Sequence, residues 1–419
     1  MASAAQPSAP VRSPFGLTPE LDALRTEVRQ WSATTLRPRA AELEWEPEPA
    51  DRVAWDLVDQ ASARGWRTFG LSQAEGGAGA DALAIAILIE ELSYGDMGFA
   101  VLIDQCIKVQ RILASLATGS ARELFLRRFV DDPRCLLAIC FTEPETSSDY
   151  IIDGPAFRFQ TNAVQRPDGD WVLNGYKRYI SNGADAGMYC VFACTDENCA
   201  AAEGTSAFLV LRDDPGFEIV KVHEKMSQRG NNNAALRFEG VGLPADRLLG
   251  QVHSGYAGSR VILKESAITA GATALGSAQA AYDMALEHCR ERVQGGGPLI
   301  GHANVKCRLA EMYAQLEAAR SMIWRAASAV DHDPAYDYKM GSAAKVFAAE
   351  ISMKVALSAA ELFGGLAIMY RDAGVNKCVR DCMSFLHSDG TQDAHRIRIG
   401  NMLAEESPAA LGNLTPRTC

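Results

Sequence analysis

The order in which hydrophobic patterns change along the chain constrains its fold most. From about 18 to 135, apolar residues recur at helical spacing, and Thr18 stands where an N-cap would begin the first helix. Short β-branched and aromatic runs bounded by Gly, Asn, Asp and Pro fill 136–250. Long Ala-rich amphipathic segments follow over 251–406. This order predicts an α+β protein with an N-terminal helical domain, a middle β-barrel-like or β-sandwich domain and a C-terminal four-helix bundle.

Composition and the two ends of the chain limit the class of function. The Ala-, Ser- and Pro-rich start lacks the apolar stretch of a signal peptide, so 1–17 is predicted as a flexible tail, as is 407–419. No apolar run reaches the ~20 residues of a membrane span. A formal net charge of −11 disfavours a nucleic-acid partner, which needs a basic surface. We expect a soluble enzyme that acts on small molecules.

The cysteines and the standard nucleotide motifs exclude several kinds of site. Eleven cysteines are scattered without a CxxC pair, which indicates reduced thiols, a cytoplasmic location and no metal site. Cys378 and Cys382 are four apart on a predicted helix, but no second pair or nearby His completes a ligand set. No GxGxxG follows a strand, and GxxxxGK[ST], HExxH and GxSxG do not occur. Any cofactor needs another kind of site.

Motifs along most of the chain resemble one family, the acyl-CoA dehydrogenases and the related acyl-CoA oxidases. They stand in the family's order at similar spacing: "FTEPETSSD", "NGYKRYISNG", "PGFEIVKVHEKMSQRG" with "FEGVGLPADRLLG", "ERVQGGGPL", and "ELFGG" followed by "VRD" and "DGT". The resemblance is weakest before residue 60. It implies FAD-dependent oxidation of the Cα–Cβ bond of an acyl thioester, carried by coenzyme A or by a carrier protein.

The resemblance also assigns residues of the middle domain to FAD. Thr142 would bond the flavin pyrimidine edge, and Ser148 would lie near the pyrophosphate and the thioester arm of the substrate. Tyr179 would cover the ring face, and Ser181 would bond flavin N5. For Thr142 and Ser181 the alternative is an ordinary hydroxyl at the end of a strand.

In the family a neighbouring subunit completes the FAD site, so a homodimer or homotetramer is expected. A guanidinium suits the pyrophosphate because it offers forked, charged donors, and glycines let phosphates approach the backbone. Thr391 matches a residue beside the adenosine half of FAD. The residues that match this part of the site are Arg292, Gln294, His302, Glu361, Gly364, Gly365 and Thr391.

Several positions depart from the family pattern. Glu361 replaces a Gln and would repel a pyrophosphate unless it is turned away or paired. Gly295 replaces a Phe, which removes an apolar contact and predicts a more flexible loop. Ala267 replaces an Arg that shapes the thioester site. Glu265 is one residue away from a position that carries a catalytic Glu in some members, and we expect it to be a solvated charge at a helix end.

Asp389 stands where most members hold the Glu of an "EGT" motif. The resemblance makes it the base that removes the α-proton while flavin N5 accepts the β-hydride. Asp is shorter than Glu by one carbon–carbon bond, roughly 1.5 Å, so the substrate must lie closer. Nitroalkane oxidases of this fold also use Asp here. The alternative is an N-cap formed by Asp389 or Thr391.

Asp104, Ser148 and Arg396 are further candidates for contact with the substrate. Asp104 falls near the floor of the family's acyl pocket, where a second carboxylate would suit a short, polar or ring-shaped group, or a second deprotonation. The alternative is a helix-surface Asp104 paired with Lys108 at i,i+4.

The leading hypothesis is therefore an FAD-dependent acyl-thioester dehydrogenase with a specialised, biosynthetic substrate. Its electron acceptor would be an electron-transfer flavoprotein or O₂. One alternative is an oxidase or monooxygenase of the same fold that uses O₂, including nitroalkane-oxidase-like chemistry. The other is a non-catalytic subunit of a hetero-oligomer.

Overall fold

Helices form the N-terminal part of the chain in the computed structural model, which describes residues 17–152 and 157–405 but not the side chains of 261–263. These helices are α1 (Pro19–Trp31), α2 (Arg37–Leu43), α3 (Trp55–Ala63), α4 (Ala82–Gly95), α5 (Met97–Leu116) and α6 (Gly119–Asp131). The backbone N–H of Leu21 donates to Thr18 Oγ1 at 3.4 Å, which confirms the predicted N-cap of α1. The predicted tails, 1–17 and 407–419, lie outside the described residues apart from Leu17.

A single sheet forms the middle part of the chain. Its strands are β1 (Leu136–Cys140), β2 (Asn162–Gln165), β3 (Trp171–Ile180), β4 (Ala186–Cys194), β5 (Thr205–Leu211), β6 (Phe217–Val222), β7 (Ala234–Leu243) and β8 (Leu248–Leu249), with a short helix α7 (Ala201–Gly204) before β5. The order is β6-β7-β3-β2-β4-β5-β8, and β1 pairs with β4 in parallel. β4 and β5 are buried along most of their length because both of their faces are covered.

Long helices return in the C-terminal part. They are α8 (Gly255–Glu291), α9 (Ala303–His332), α10 (Tyr338–Phe363), α11 (Val375–Ser384) and α12 (Gln392–Glu405), with a hairpin of β9 (Val293–Gln294) and β10 (Gly297–Pro298) after α8. α8 packs against α4, α9, α10 and α11. The approach to α4 is close, since a Cβ on Gly276 would lie 2.0 Å from Glu90 O. The predicted α+β architecture is confirmed.

Two hydrophobic cores hold these parts together. One joins the N-terminal helices to the sheet, and the other lies between α4, α5 and the C-terminal helices. Among the described residues, one helical stretch, 338–368, is long and apolar enough to cross a membrane on length and composition alone. Buried helices of water-soluble proteins meet the same criterion, and α10 within this stretch packs against α8, α9, α11 and α12.

Candidate active site

The loop before α12 carries Asp389 on an unusual backbone. Asp389 has φ +50° and Gly390 has φ +85°. Glycine is favoured at the second position, because side-chain-bearing residues rarely adopt this φ and a Cβ there would also lie 1.9 Å from Ile151 Cδ1. A non-glycine residue in the left-handed region costs on the order of 1–3 kcal/mol, and such residues cluster at functional sites. The backbone conformation that places the Asp389 side chain here therefore lowers the stability of the fold.

Two buried basic side chains hold the loop through its carbonyl groups. His395 Nε2 lies 2.8 Å from Asp389 O, and His395 Nδ1 lies 3.1 Å from Ser342 Oγ. Burial lowers the pKa of His395 to about 4, so at neutral pH the uncharged ring donates from Nε2 and accepts from the Ser342 hydroxyl. Lys345 Nζ donates to Gly390 O at 2.7 Å, and burial lowers the pKa of Lys345 to about 8.

Thr391, not Asp389, caps the helix that follows. The backbone N–H of Ala394 donates to Thr391 Oγ1 at 3.2 Å, as an N-cap requires. The backbone N–H of Thr391 donates to Ser148 Oγ at 3.2 Å, which joins this loop to the segment 141–149. The Asp389 carboxylate contributes nothing to the cap and is available for other chemistry.

A lysine lies between two carboxylates at the centre of the site. Lys108 Nζ is 2.9 Å from Asp389 Oδ2 and 2.6 Å from Asp104 Oδ2. The side chains of Asp104 and Lys108 are only 3% and 7% exposed, so the pair expected on a helix surface is formed inside the protein. Burial raises the pKa of Asp104, although the Lys108 ammonium opposes this. One ammonium group thus pairs with two carboxylates, and one of these is the predicted base, Asp389.

A second buried ion pair lies on the neighbouring helices. Glu265 Oε2 is 2.5 Å from Arg111 Nη1, and the Glu265 side chain is 13% exposed. Burial raises the pKa of Glu265 to about 7 despite this arginine. The expectation of a solvated charge at a helix end is wrong, because α8 continues on both sides of Glu265 and α5 supplies its partner.

Backbone contacts bring the predicted flavin-binding residues of the sheet together. The N–H of Arg178 donates to Thr142 O at 2.9 Å, which joins the end of β1 to the end of β3. Asn233 Nδ2 donates to Tyr179 O at 2.9 Å and to Ser181 Oγ at 3.3 Å. Tyr179 has φ +58°, and half of its surface is exposed. An aromatic ring on a strained backbone thus lies beside two hydroxyl-bearing residues.

A buried ion pair explains two further residues of the sequence motifs. Lys177 Nζ is 2.8 Å from Glu143 Oε1, and both side chains are completely buried. Glu143 also accepts from the backbone N–H groups of Gln160 and Thr161, at 2.6 and 3.1 Å. Lys177 donates to Phe141 O at 3.0 Å. The pair holds the segment containing Thr142, a role that the motif pattern alone did not reveal.

Most of the residues predicted to face a second subunit lie at the end of α8, at the start of α9 and at the end of α10. Arg292 Nη2 donates to Gln294 Oε1 at 3.3 Å, and His302 Nε2 lies 2.9 Å from Gln294 O. Gly295 and Gly296 have φ +65° and +91°, the signs that a two-residue hairpin turn of type I′ requires. The expected flexible loop is therefore a paired hairpin whose turn needs glycine.

Glu361 is paired, which is one of the two arrangements expected for a carboxylate at this position of the motif. Its Oε2 is 2.7 Å from Arg308 Nη1 on the protein surface. Gly364, with φ +60°, and Gly365 follow at the exposed end of α10. The stacking of Phe363 on His288, with ring centroids 4.2 Å apart, joins this end of α10 to the end of α8.

Arg396 is not brought into this group of residues. It lies on the exposed side of α12, where its guanidinium is 2.5 Å from Glu350 Oε1 and 3.3 Å from Asp393 Oδ1. In the part of the chain that the structure describes, no cluster of three or more His, Cys, Asp or Glu side chains could hold a metal ion.

Family models for acyl-CoA dehydrogenases match the chain in three consecutive stretches. The N-terminal domain matches 18–132, the middle domain 138–241 and the C-terminal domain 253–404. The chain belongs to the acyl-CoA dehydrogenase family. Members of this family are FAD-dependent oxidoreductases that act on CH–CH bonds. The predicted resemblance, cofactor and enzyme class are thereby confirmed.

Individual acyl-CoA dehydrogenases are similar over nearly the full length. The cyclohex-1-ene-1-carbonyl-CoA dehydrogenase of Geobacter metallireducens is 31% identical over 389 residues, which cover 92% of this chain and 98% of that protein. The structure of butyryl-CoA dehydrogenase from Megasphaera elsdenii superimposes with a TM-score of 0.85 at 28% identity, covering 94% and 100% of the two chains. A glutaryl-coenzyme A dehydrogenase in complex with glutaryl-CoA gives a TM-score of 0.83 at 25% identity, covering 94% and 98%.

Proposed function

We propose that this acyl-CoA dehydrogenase removes hydrogen from Cα and Cβ of a short, polar or ring-shaped acyl thioester, with Asp389 as the base. The observation that carries the proposal is the state of the Asp389 carboxylate. Its Oδ2 is held by Lys108, whereas its Oδ1 accepts no hydrogen bond from any residue that the structure describes. The Asp389 side chain is partly exposed, at 24%. Oδ1 is therefore the oxygen that would take the α-proton.

The residues assigned to FAD have the chemistry that a flavin needs. Thr142, Ser148 and Ser181 supply hydroxyl groups, and the half-exposed Tyr179 ring can cover an aromatic system. The His223 ring lies beside Tyr179, tilted by 46° with ring centroids 4.7 Å apart, and its buried Nε2 has no partner among the described residues. When bound, FAD supplies the acceptor for the hydride that leaves Cβ.

A second copy of the chain would complete the FAD site. Arg292, Gln294 and His302 lie on the exposed hairpin side of the molecule, and Gly364 and Gly365 lie at the neighbouring end of α10. The hydrogen bonds and ion pairs that these residues form within the described chain do not reach Thr142 or Tyr179. Glu361 belongs to the same surface, with its charge offset by Arg308. We infer a homodimer or homotetramer.

The charges beside Asp389 argue for a specialised substrate. Asp104 and Lys108 place charge in a buried region next to the base, where a long alkyl chain would need apolar contacts. The relative from Geobacter metallireducens is named for a ring-shaped acyl group, and the solved relatives for butyryl and glutaryl groups. The thioester carrier is coenzyme A or a carrier protein, and the electron acceptor is an electron-transfer flavoprotein or O₂. A cytoplasmic location stays a prediction.

Anaerobic mixing of the purified holoenzyme with a panel of acyl-CoAs tests this proposal. Cyclohexanecarbonyl-, glutaryl- and butyryl-CoA should bleach the flavin absorbance faster than palmitoyl-CoA. The Asp389→Asn variant should slow bleaching by about 10²–10⁴-fold, the usual contribution of a general base. Asp393→Asn is the matched control, because Asp393 lies nearby with an 85% exposed side chain. Wild-type rates in Asp389→Asn would remove the assignment of the base.

A further inference from the structure

The ammonium group of Lys108 is placed to control the base itself. We propose that Lys108 is a positioning residue that holds the Asp389 carboxylate in its reactive orientation, and that Asp104 in turn holds Lys108. This inference rests on the proposed function of Asp389. Lys108 does not touch the reacting carbon in this scheme, since its ammonium group is shared by the two carboxylates.

The geometry fixes the ammonium from the side of helix α5. Asp104 and Lys108 are four residues apart on this helix, which is buried over most of its length. The 2.6 Å contact with Asp104 Oδ2 leaves Lys108 Nζ little freedom. The 2.9 Å contact with Asp389 Oδ2 then sets the rotation of that carboxylate and leaves Oδ1 free. A rigid helix thus orients a side chain that stands on a loop 281 residues away.

This arrangement matters more for Asp than it would for Glu. A shorter side chain reaches one small region, and an error of ~1 Å in the position of a catalytic group can cost on the order of 100-fold in rate. The backbone at Asp389 is already held by His395 and Lys345 through carbonyl oxygens. Those contacts place the Cα atom, but they leave the side-chain torsions undetermined. The contact with Lys108 determines them.

The charges also support this role. Burial alone would lower the pKa of Lys108, but Asp104 and Asp389 raise it above its ordinary value, so the ammonium stays charged. Two carboxylates and one ammonium carry a net charge of −1. When Asp389 takes up the α-proton, a neutral Asp104–Lys108 pair remains. Asp104 therefore still balances the positive charge of Lys108 after Asp389 has become neutral.

Other titratable groups near Asp389 do not replace Lys108. The ammonium of Lys345 donates to Gly390 O and Gln392 Oε1, and His395 is uncharged because burial lowers its pKa to about 4. Burial, with Asp389 nearby, raises the pKa of the Tyr150 hydroxyl. The adjacent Glu265 is paired with Arg111. Within the described chain, Lys108 supplies the hydrogen bond from a cation to the Asp389 carboxylate.

Exchange of an α-proton with solvent measures the base separately from hydride transfer. Phenylacetyl-CoA is the probe, because it has α-hydrogens and its β-carbon belongs to an aromatic ring without hydrogen. In D₂O the base removes the α-proton, exchanges it with solvent and returns a deuteron to Cα. The loss of the α-proton NMR signal with holoenzyme is followed across pH for the wild type and for Lys108→Met, Lys108→Arg, Asp389→Asn and Lys354→Met. Lys354→Met is the matched control, since Lys354 forms an exposed pair with Glu311.

Lys108→Met should slow exchange by about 10–100-fold at neutral pH. The acid limb of its pH–rate profile should move to higher pH than that of the wild type, because loss of the neighbouring cation favours the protonated carboxylate. Lys108→Arg should keep the acid limb of the wild type, and this variant also serves if Lys108→Met does not fold. Asp389→Asn should abolish exchange, and Lys354→Met should leave it unchanged.

The outcomes distinguish failure of the assignment of Asp389 as the base from failure of the role proposed for Lys108. If the wild type exchanges no α-proton, or if Asp389→Asn exchanges normally, the assignment of the base fails and this inference fails with it. If the wild type exchanges and Lys108→Met matches it in rate and acid limb, only the inference is overturned. A slower Lys108→Met variant with an unmoved acid limb also overturns it, because Lys108 would then serve the fold alone.

Discussion

The buried pair Glu143–Lys177 should be among the most sensitive features of the middle domain. Replacing Lys177 by Met leaves the Glu143 carboxylate, completely buried, with backbone N–H partners only, those of Gln160 and Thr161. Removing one partner of a buried ion pair costs about 3–5 kcal/mol. The variant also loses the hydrogen bond to Phe141 O, a contribution of about 1 kcal/mol. Part of the loss is offset because Met packs well in an apolar site.

We therefore expect Lys177→Met to lower the free energy of unfolding by about 4 kcal/mol. The double variant Glu143→Gln/Lys177→Met should recover part of this loss, because it buries no unpaired charge and its amide oxygen can accept from one of the two backbone N–H groups. Urea unfolding followed by tryptophan fluorescence, at one protein concentration, measures both. Lys354→Met is the exposed control, expected to change the free energy by less than about 1 kcal/mol.

This expectation is refuted if the free energy of unfolding of Lys177→Met lies within about 1 kcal/mol of the wild-type value. It is also refuted if the double variant is no more stable than the single one, since the cost would then not come from the unpaired carboxylate. Thr142 lies between Phe141 and Glu143, so a folded Lys177→Met variant should in addition bind FAD more weakly. Fluorescence titration of the apoprotein with FAD measures that effect.

Three other substitutions test the loop and the expected subunit interface. Gly390→Ala should lower activity by at least about tenfold, because the new Cβ would meet Ile151 and displace the base; normal kcat would contradict this. Burial lowers the pKa of His395 from 6.5 to about 4, so the free energy of unfolding of the wild type should fall by up to about 1.4 kcal/mol per pH unit as pH drops through this range. Urea unfolding of His395→Gln should show a smaller decrease, and an equal decrease would refute this expectation. Glu361→Gln should tighten FAD binding several-fold by removing a carboxylate that Arg308 only partly offsets, and calorimetric titration that finds weaker binding would count against the shared site.

The candidate site was predictable where its residues belong to local motifs. The sequence could single out Thr142, Tyr179 and Asp389, because each belongs to a short motif that is recognisable from the order of residue types alone. Lys108 was considered only as a partner of Asp104, and Lys345 was not considered at all. Their roles depend on contacts across 281 and 45 residues of chain, which no local pattern contains.

Two predictions failed for a related reason. Glu265 was expected to be solvated, yet Arg111 from another helix buries and pairs it. Gly295 was expected to loosen a loop, yet with Gly296 it makes the turn of a hairpin, because both positions need positive φ. In each case the residue type was read correctly, but its neighbour in space or its backbone conformation decided the result.

The sequence by itself determined the order of helical and strand-rich segments and the family, and it singled out Asp389 as the candidate base. These follow from hydrophobic periodicity and from motifs, which are properties of neighbouring residues along the chain. Only the tertiary structure decided that Thr391 caps α12 and that Asp389 is bound to Lys108 instead. That choice depends on the position of a buried ammonium group on a distant helix. Charge interactions inside a protein are governed by distance and burial, and both exist only once the chain has folded.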